Sequence, residues 1–305
     1  MSFEILKNKI DEKNNPTVMG LDPKLDYIPA SILDAAKKEY GDTFRAAGEA
    51  IFEFNRRLID AAADLVPAVK PQSAFYEMYG LEGETALKKT VEYARAAGLY
   101  VILDVKRNDI GSTAEAYAAA YLGETKLFGH SEKALEVDSV TVNPYLGTDG
   151  ILPFVKTAAE FNRSMFILVK TSNPSSKELQ DLVVEGKPIY RHMGEMVEKW
   201  GSEHIGESGY SPCGAVVGAT HPAQLGELRE ALPHTFFLIP GYGAQGGGAE
   251  DVRNAFDKQG GGAIVNSSRA LMCAYKGKGD DDNFEKFTRE AVIEMRDALN
   301  TVRGK

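Results

Sequence analysis

The feature that most restricts how this chain can fold is a regular alternation of short β-rich runs with stretches of helical spacing. Runs of β-branched and aliphatic residues recur at Thr17–Leu21, Leu65–Val69, Tyr100–Val105, Ser139–Val142, Met165–Val169, Ala215–Gly218, Phe236–Ile239 and Ala263–Asn266, eight in all. Between them apolar residues fall at helical intervals, as with Phe52, Leu58 and Ile59 before the second run and Leu225 and Leu228 before the seventh. Residues 283–300 end the series as a helix whose apolar stripe is Phe284, Phe287, Ala291, Val292, Met295 and Leu299. Such alternation implies a mostly parallel sheet, because each parallel return needs a crossover helix. A doubly wound open sheet uses the same unit, but eight units in one pass favour an α/β fold of the closed (β/α)8 TIM-barrel type, one domain over residues 1–305. No linker splits the chain; the charged stretch Lys276–Asp282 only sets off the final helix. Residues 171–187, after the fifth run, are polar and longer than a usual strand-to-helix loop. They read either as a cover over the strand ends or as a neutral insertion.

Composition narrows the classes of partner. With 43% hydrophobic residues the 305-residue chain can bury a large core. Its formal charge of −9 argues against nucleic-acid backbones or anionic lipid as partners, while leaving room for a local cationic pocket. Apolar runs such as Phe236–Pro240 fall far short of the roughly 20 residues that cross a bilayer, so no membrane partner is expected. The opening MSFEILKNKIDEKNN carries charges inside its apolar stretch, unlike a secretory signal, and the expected location is cytoplasmic. Cys213 and Cys273 form neither a disulfide framework nor a closely spaced metal pair, and both are expected to be buried thiols.

The densest charge cluster on an expected strand is LDVKRNDIGST, residues 103–113, where an apolar run ends in Asp104, Lys106 and Asp109. Side chains alternate along a strand, so Asp104 and Lys106 share a face, and at the carboxyl end of a barrel strand that face looks into the mouth. Lys70 ends the neighbouring run, which brings two lysines and a carboxylate to adjacent strand ends. Carboxylates around an ammonium favour its charged form, so Lys106 reads as an acid and not as an amine nucleophile. A lone Lys–Asp pair would be read as a structural ion pair; three charges ending an apolar strand beside a further lysine point to function. The segment IPGYGAQGGGAEDV, residues 239–252, contains G-x-G-x-x-G at Gly241, Gly243 and Gly246. It lies too late in the chain for a dinucleotide fingerprint. Loops after the seventh and eighth barrel strands commonly hold a phosphate, with backbone amides and a helix start pointing at the anion. Arg269 just past the eighth run, and Gln245, would add side-chain donors; the alternative is turn glycines and a surface arginine. Ser172 and Asn173 read as ligand hydrogen-bond donors or as an ordinary turn. The five histidines show no metal-ligand spacing, and no G-x-S-x-G elbow is present, so neither metal nor triad chemistry is expected.

With these residues in view, the chain resembles the orotidine 5′-monophosphate decarboxylase family, in its longer bacterial subgroup. The resemblance rests on GLDP (20–23), VKP (69–71), D-x-K-x-x-D-I-x-x-T (104–113), VGAT (217–220), PGYGAQGG (240–247) and SSRA around Arg269, in this order. It implies a carboxy-lyase that needs no cofactor or metal and converts orotidine 5′-monophosphate to uridine 5′-monophosphate and carbon dioxide, the last step of pyrimidine biosynthesis. Carried over by the resemblance, Lys106 donates the proton to C6, flanked by Asp104 and by Asp109 from the partner subunit, and Lys70 links this network to the ribose. Asp22 would contact the ribose, Ile110 and Thr113 would reach across a homodimer interface, Ser172 would touch the pyrimidine, Pro240 would line the substrate site, and Gln245 and Arg269 would hold the phosphate. The chain departs from the family in its enlarged 171–187 segment. Related phosphosugar decarboxylases and synthases share D-x-K-x-x-D but need magnesium, and an aldolase using Lys70, Lys106 or Lys170 as a Schiff base is a further alternative.

Overall fold

Each of the eight runs forms a strand in the computed structural model, which describes residues 2–243 and 246–305. The strands are β1 (Thr17–Leu21), β2 (Ala68–Pro71), β3 (Tyr100–Arg107), β4 (Ser139–Val142), β5 (Ser164–Lys170), β6 (Cys213–Val217), β7 (Phe237–Ile239) and β8 (Ala263–Ser267). Every strand is parallel to its sequence neighbours, and β1 pairs with both β2 and β8, so the sheet closes. The open-sheet alternative is thereby excluded. The register sets Gly20 of β1 beside Lys70 of β2.

Only the first and fourth strands keep their expected bounds; four others shift by one or two residues at one or both ends, and the second and third show the physical reason. The second is expected at residues 65–69, but Leu65 and Val66 bond back to Ala62 at the end of the preceding helix and the strand begins at Ala68. An apolar run reports burial, not conformation, and here burial spans a helix end and a strand start. The third strand runs through the charged residues to Arg107, with an irregular register against β4 between Leu103 and Arg107.

Helix α1 (Ser2–Lys13) precedes the barrel, and the ring outside it comprises α2 (Ala30–Tyr40), α3 (Phe44–Ala62), α4 (Gly80–Ala96), α5 (Gly111–Tyr121), α6 (Thr148–Phe161), α7 (Ile189–Gly201), α8 (Pro222–Ala231) and α9 (Phe284–Arg303). In α3 the Thr43 hydroxyl accepts the Ala46 N–H as an N-cap. Between β7 and β8, where alternation calls for a crossover helix, the described residues form only a six-residue 3₁₀ helix, Glu250–Ala255. Helix α1 is not anticipated by the alternation: its buried Phe3, Leu6 and Ile10 pack against Val18, Ala68, Tyr100 and Phe236 inside the barrel. It plugs the end opposite the mouth. Cys213 is buried, which pushes its thiol up to about 12, whereas Cys273 is only half-buried. Among the described residues no helix is long and apolar enough to cross a membrane.

Strand alternation divides the core in two and thereby positions the site. Val101 and Leu103 of β3 face the helices, while Tyr100 and Ile102 face the barrel axis. Continuing that parity to the strand end carries Asp104 inward. The same parity carries Lys70 inward after Ala68 on β2, and Asn266 inward after Ile264 on β8. Close packing at this end uses glycine: a Cβ on Gly20 would lie 2.0 Å from Ser268 Oγ, so β1 and the end of β8 approach only because Gly20 has none.

Candidate active site

At the carboxyl-terminal mouth lies a cavity of about 780 Å³. Its wall carries Lys24, Lys70, Lys106 and Arg269 against Asp22 and Asp104. Four cations and two carboxylates leave the wall two charges positive on a chain whose formal charge is −9.

The centre of the cavity floor is a chain of charges. Asp104 Oδ2 accepts from Lys70 Nζ at 2.8 Å, and its Oδ1 accepts from Lys106 Nζ at 2.5 Å. The Thr141 hydroxyl of β4 donates a further hydrogen bond of 2.8 Å to Oδ1 and itself accepts the Lys106 N–H at 2.9 Å. Burial alone would push the Asp104 carboxyl up, but the two ammoniums and their hydrogen bonds outweigh it and hold it well below the usual carboxylate range. Lys70 is as deeply buried; burial pulls its pKa down, the charges of Asp104 and Asp22 push it up, and the balance lies above 10.5. The Lys106 side chain differs, being 45% exposed to the cavity. Its backbone is left-handed, with φ of 47°, a conformation that costs a non-glycine residue about 1–2 kcal/mol. That turn, where the β3 register breaks, hands Lys106 to the mouth while Asp104 stays in the wall.

The structure brings together Asp22, Lys70, Asp104, Lys106, Ser172, Pro240 and Arg269, all of which line the cavity. Asp22 Oδ1 is buried with no hydrogen-bond partner among the described residues. Ser172 packs tightly at the β5–β6 boundary, where a Cβ on Gly218 would lie 2.7 Å from its Cα. Arg269 is exposed at the rim and has no hydrogen-bond or ion-pair partner among the described residues. Gln245 lies outside the described residues.

Three of the expected site residues are not at the cavity of their own chain. Asp109 is expected as a second carboxylate for Lys106; instead its Oδ1 accepts the Ile110 N–H at 2.7 Å in the turn that starts α5. Ile110 is 52% exposed and Thr113 is exposed on the outer face of the same turn. Among the described residues of one chain, Lys106 therefore pairs with Asp104 alone.

The expected backbone cradle after β7 also differs. Gly241, Gly243 and Gly246 all adopt positive φ, but the N–H groups of Gly243, Gly246 and Gly247 bond to carbonyls within the loop, and that of Gly248 to Asp251. After β8 only a four-residue helical turn, Arg269–Met272, follows. Sequence reasoning misses Thr141, which supports Asp104, and Asn266, an 8% exposed side chain whose Oδ1 is unpartnered at the cavity wall. The signal for Asn266 is present: an asparagine two residues past an inward isoleucine must face the axis. Lys170 does not line the cavity; it is fully buried against Asp181. Among the described residues no group of three or more His, Cys, Asp and Glu side chains is arranged to hold a metal ion.

A closed barrel whose mouth holds a buried Lys70–Asp104 pair, with Lys106 reaching from it into a net cationic pocket, defines a class: single-domain α/β barrels built around a small anionic ligand. The family model described as orotidine 5′-phosphate decarboxylase / HUMPS family matches residues 42–279. The chain belongs to that family. It is 46% identical over 288 residues to the orotidine 5′-phosphate decarboxylase of Rhodopirellula baltica, covering 93% of each chain. It is 44% identical over 299 residues to that of Caldicellulosiruptor bescii, covering 97% of this chain and 96% of the other. Among solved structures, Leishmania donovani OMP decarboxylase is similar with a TM-score of 0.74 at 28% identity, over 100% of this chain and 99% of that one.

Proposed function

We propose that this chain is a carboxy-lyase that converts orotidine 5′-monophosphate to uridine 5′-monophosphate and carbon dioxide in pyrimidine biosynthesis. The observation that carries the reading is the Lys70–Asp104–Lys106 chain: a carboxylate locked in its charged form, one ammonium locked in the wall and one free to meet a ligand. The cavity volume, about 780 Å³, suits a nucleotide.

In this reading the C6–carboxylate bond of the substrate breaks, its electron pair stays on C6, and carbon dioxide leaves. The Lys106 ammonium stabilises the growing charge and transfers one proton to C6, then regains a proton from solvent. Asp104 stands close to the departing carboxylate, so repulsion present in the bound substrate disappears as the bond breaks. At ~4 Å two unit charges interact by about 4 kcal/mol at an effective dielectric near 20, so attraction to Lys106 and repulsion from Asp104 each carry weight. Lys70 holds Asp104 charged and, with Asp22, offers polar atoms to the ribose. Ser172 faces the pyrimidine, Pro240 lines the pocket, and Arg269, with Gln245, takes the phosphate.

We infer a homodimer in the cytoplasm, with Asp109, Ile110 and Thr113 of each subunit directed to the other's site. Support comes from their position outside their own cavity and from the exposed apolar side chains of Ile110, Tyr145 and Leu146 nearby.

The test is loss of orotidine 5′-monophosphate followed spectroscopically with a chelator present. Turnover that survives chelation favours this reading over a magnesium-dependent phosphosugar enzyme of the same family. Lys106→Ala should lower kcat by about 10⁴-fold or more, since it removes both the proton donor and the charge that stabilises the carbanion. Undiminished turnover in that variant would sink the assignment.

A further inference from the structure

Beyond the charged floor, one more buried cation stands at a strand end: Lys170, the last residue of β5. Its side chain is 0% exposed, yet it carries an ammonium. Among the described residues its one carboxylate partner is Asp181, at 2.5 Å, supplied by the polar segment after β5 and itself 40% exposed. The Ser176 hydroxyl lies 3.5 Å away and the Tyr190 ring 5.6 Å from Nζ to its centroid, and the His221 imidazole, close to the Thr171 carbonyl, is a further titratable neighbour. The neighbouring residue repeats the tie: Gln180 Oε1 accepts the Thr171 N–H at 2.9 Å, and Gln180 Nε2 donates to the Thr171 hydroxyl at 2.8 Å.

Two consecutive residues of the segment, 180 and 181, are thus fastened to two consecutive residues at the end of a barrel strand, 170 and 171. Between the fastenings the chain makes a 3₁₀ turn, Pro174–Ser176, and a helical turn, Lys177–Gln180. Leu179 and Gln180 line the cavity. The segment then leaves as a small hairpin, Val183–Val184 with Lys187–Pro188, whose valines are exposed. A loop of this length could take many paths; a buried ammonium that has one carboxylate to pair with selects the path that brings Asp181 to it.

We infer that Lys170 and Asp181 form a latch that holds residues 171–181 as the roof of the cavity, which makes Asp181 a positioning residue for the ligand's base end. It touches no ligand itself; it acts by fixing Leu179 and Gln180. Its bearing on turnover rests on the function proposed above, but the latch itself does not.

The experiment therefore reads both levels separately. Asp181→Asn keeps the shape and removes the charge, leaving the ammonium without its carboxylate. Below its melting temperature, trypsin should cut the variant after Lys177 at least about tenfold faster than the parent chain, because cleavage follows the population of the opened segment. Affinity for uridine 5′-monophosphate by calorimetry should fall, and kcat/KM for orotidine 5′-monophosphate should fall with it. Asp181→Glu, which restores a carboxylate, should recover all three. If Asp181→Asn does not fold, Lys170→Met removes the other half of the latch without stranding a buried charge, and its cleavage rate is read in its place. An unchanged cleavage rate in a folded variant overturns the latch. Faster cleavage in a protein whose parent form neither binds nor turns over the nucleotide leaves the latch standing and removes the function assigned to the cavity.

Discussion

Asp104→Asn probes the charged floor most directly, because one carboxylate there balances two ammoniums. The Asp104 side chain is 9% exposed and that of Lys70 5% exposed. Removing one partner of a buried pair costs about 3–5 kcal/mol, since the remaining charge is stranded. Asp22 still faces Lys70 as a second negative neighbour, which places the expected loss at the lower end, about 3 kcal/mol. For a chain of this size that is a fall in Tm of about 6 °C. The pH dependence gives a sharper signature. In the parent protein the Lys70 pKa is raised above 10.5, so its stabilising contribution is complete below that value and is lost as pH rises through the folded-state pKa. In the variant, burial is opposed by Asp22 alone and the pKa drops below 10.5. The unfolded chain then binds more protons than the folded one between the two values, and stability rises with pH in that window. The stability gap between variant and parent should therefore narrow from about pH 7 to about pH 10. Urea unfolding followed by fluorescence at both pH values measures it. A gap under about 1 kcal/mol, or one of equal size at both pH values, would refute the reasoning.

Arg269→Ala should leave Tm unchanged, because the guanidinium is exposed and unpaired among the described residues. It should raise KM for the nucleotide by about 10–100-fold through loss of charge-assisted hydrogen bonds, without affecting the phosphate-free nucleoside; equal losses for both would remove it from phosphate binding. Lys70→Ala and Asp109→Ala, each inactive alone, should regain up to about a quarter of the parent activity when mixed, because a two-fold hybrid has one site with both defects and one with neither. Silence after demonstrated subunit exchange would return Asp109 to its role as a turn residue. Acid should act on Asp104: its folded-state pKa is depressed, so its contribution is full above its ordinary 3.8 and disappears as pH falls below it. A parent protein whose unfolding free energy has no more acid dependence than Asp104→Asn would contradict that.

Residues whose chemistry conflicts with their neighbours along the chain are the ones the sequence makes legible. Asp104 and Lys106 stand out because charges that end an apolar strand are costly, and strand parity then turns Asp104 toward the axis. Strands Thr17–Leu21 and Ser139–Val142 lie where the apolar runs place them. The second run misleads because Leu65 and Val66 are apolar for the sake of a helix end. Thr141 escapes notice because a small polar residue in a strand carries no signal until the strand's inward face is known, whereas Asn266 could have been found from the parity it shares with Ile264. The glycine loop advertises freedom of φ but not where its N–H groups are spent.

The sequence alone determined the eightfold alternation of strand and helix and the face that Asp104 presents, since both follow from periodicity, a local property of the chain. Tertiary structure decided who meets whom. Closure of the ring set Asp22, Lys70, Asp104 and Asn266 around one cavity, a left-handed residue handed Lys106 to its mouth, and a buried lysine captured Asp181 from eleven residues away. Pairings of that kind depend on the register between strands and on burial in three dimensions, and neither is written in the spacing of residues along the chain.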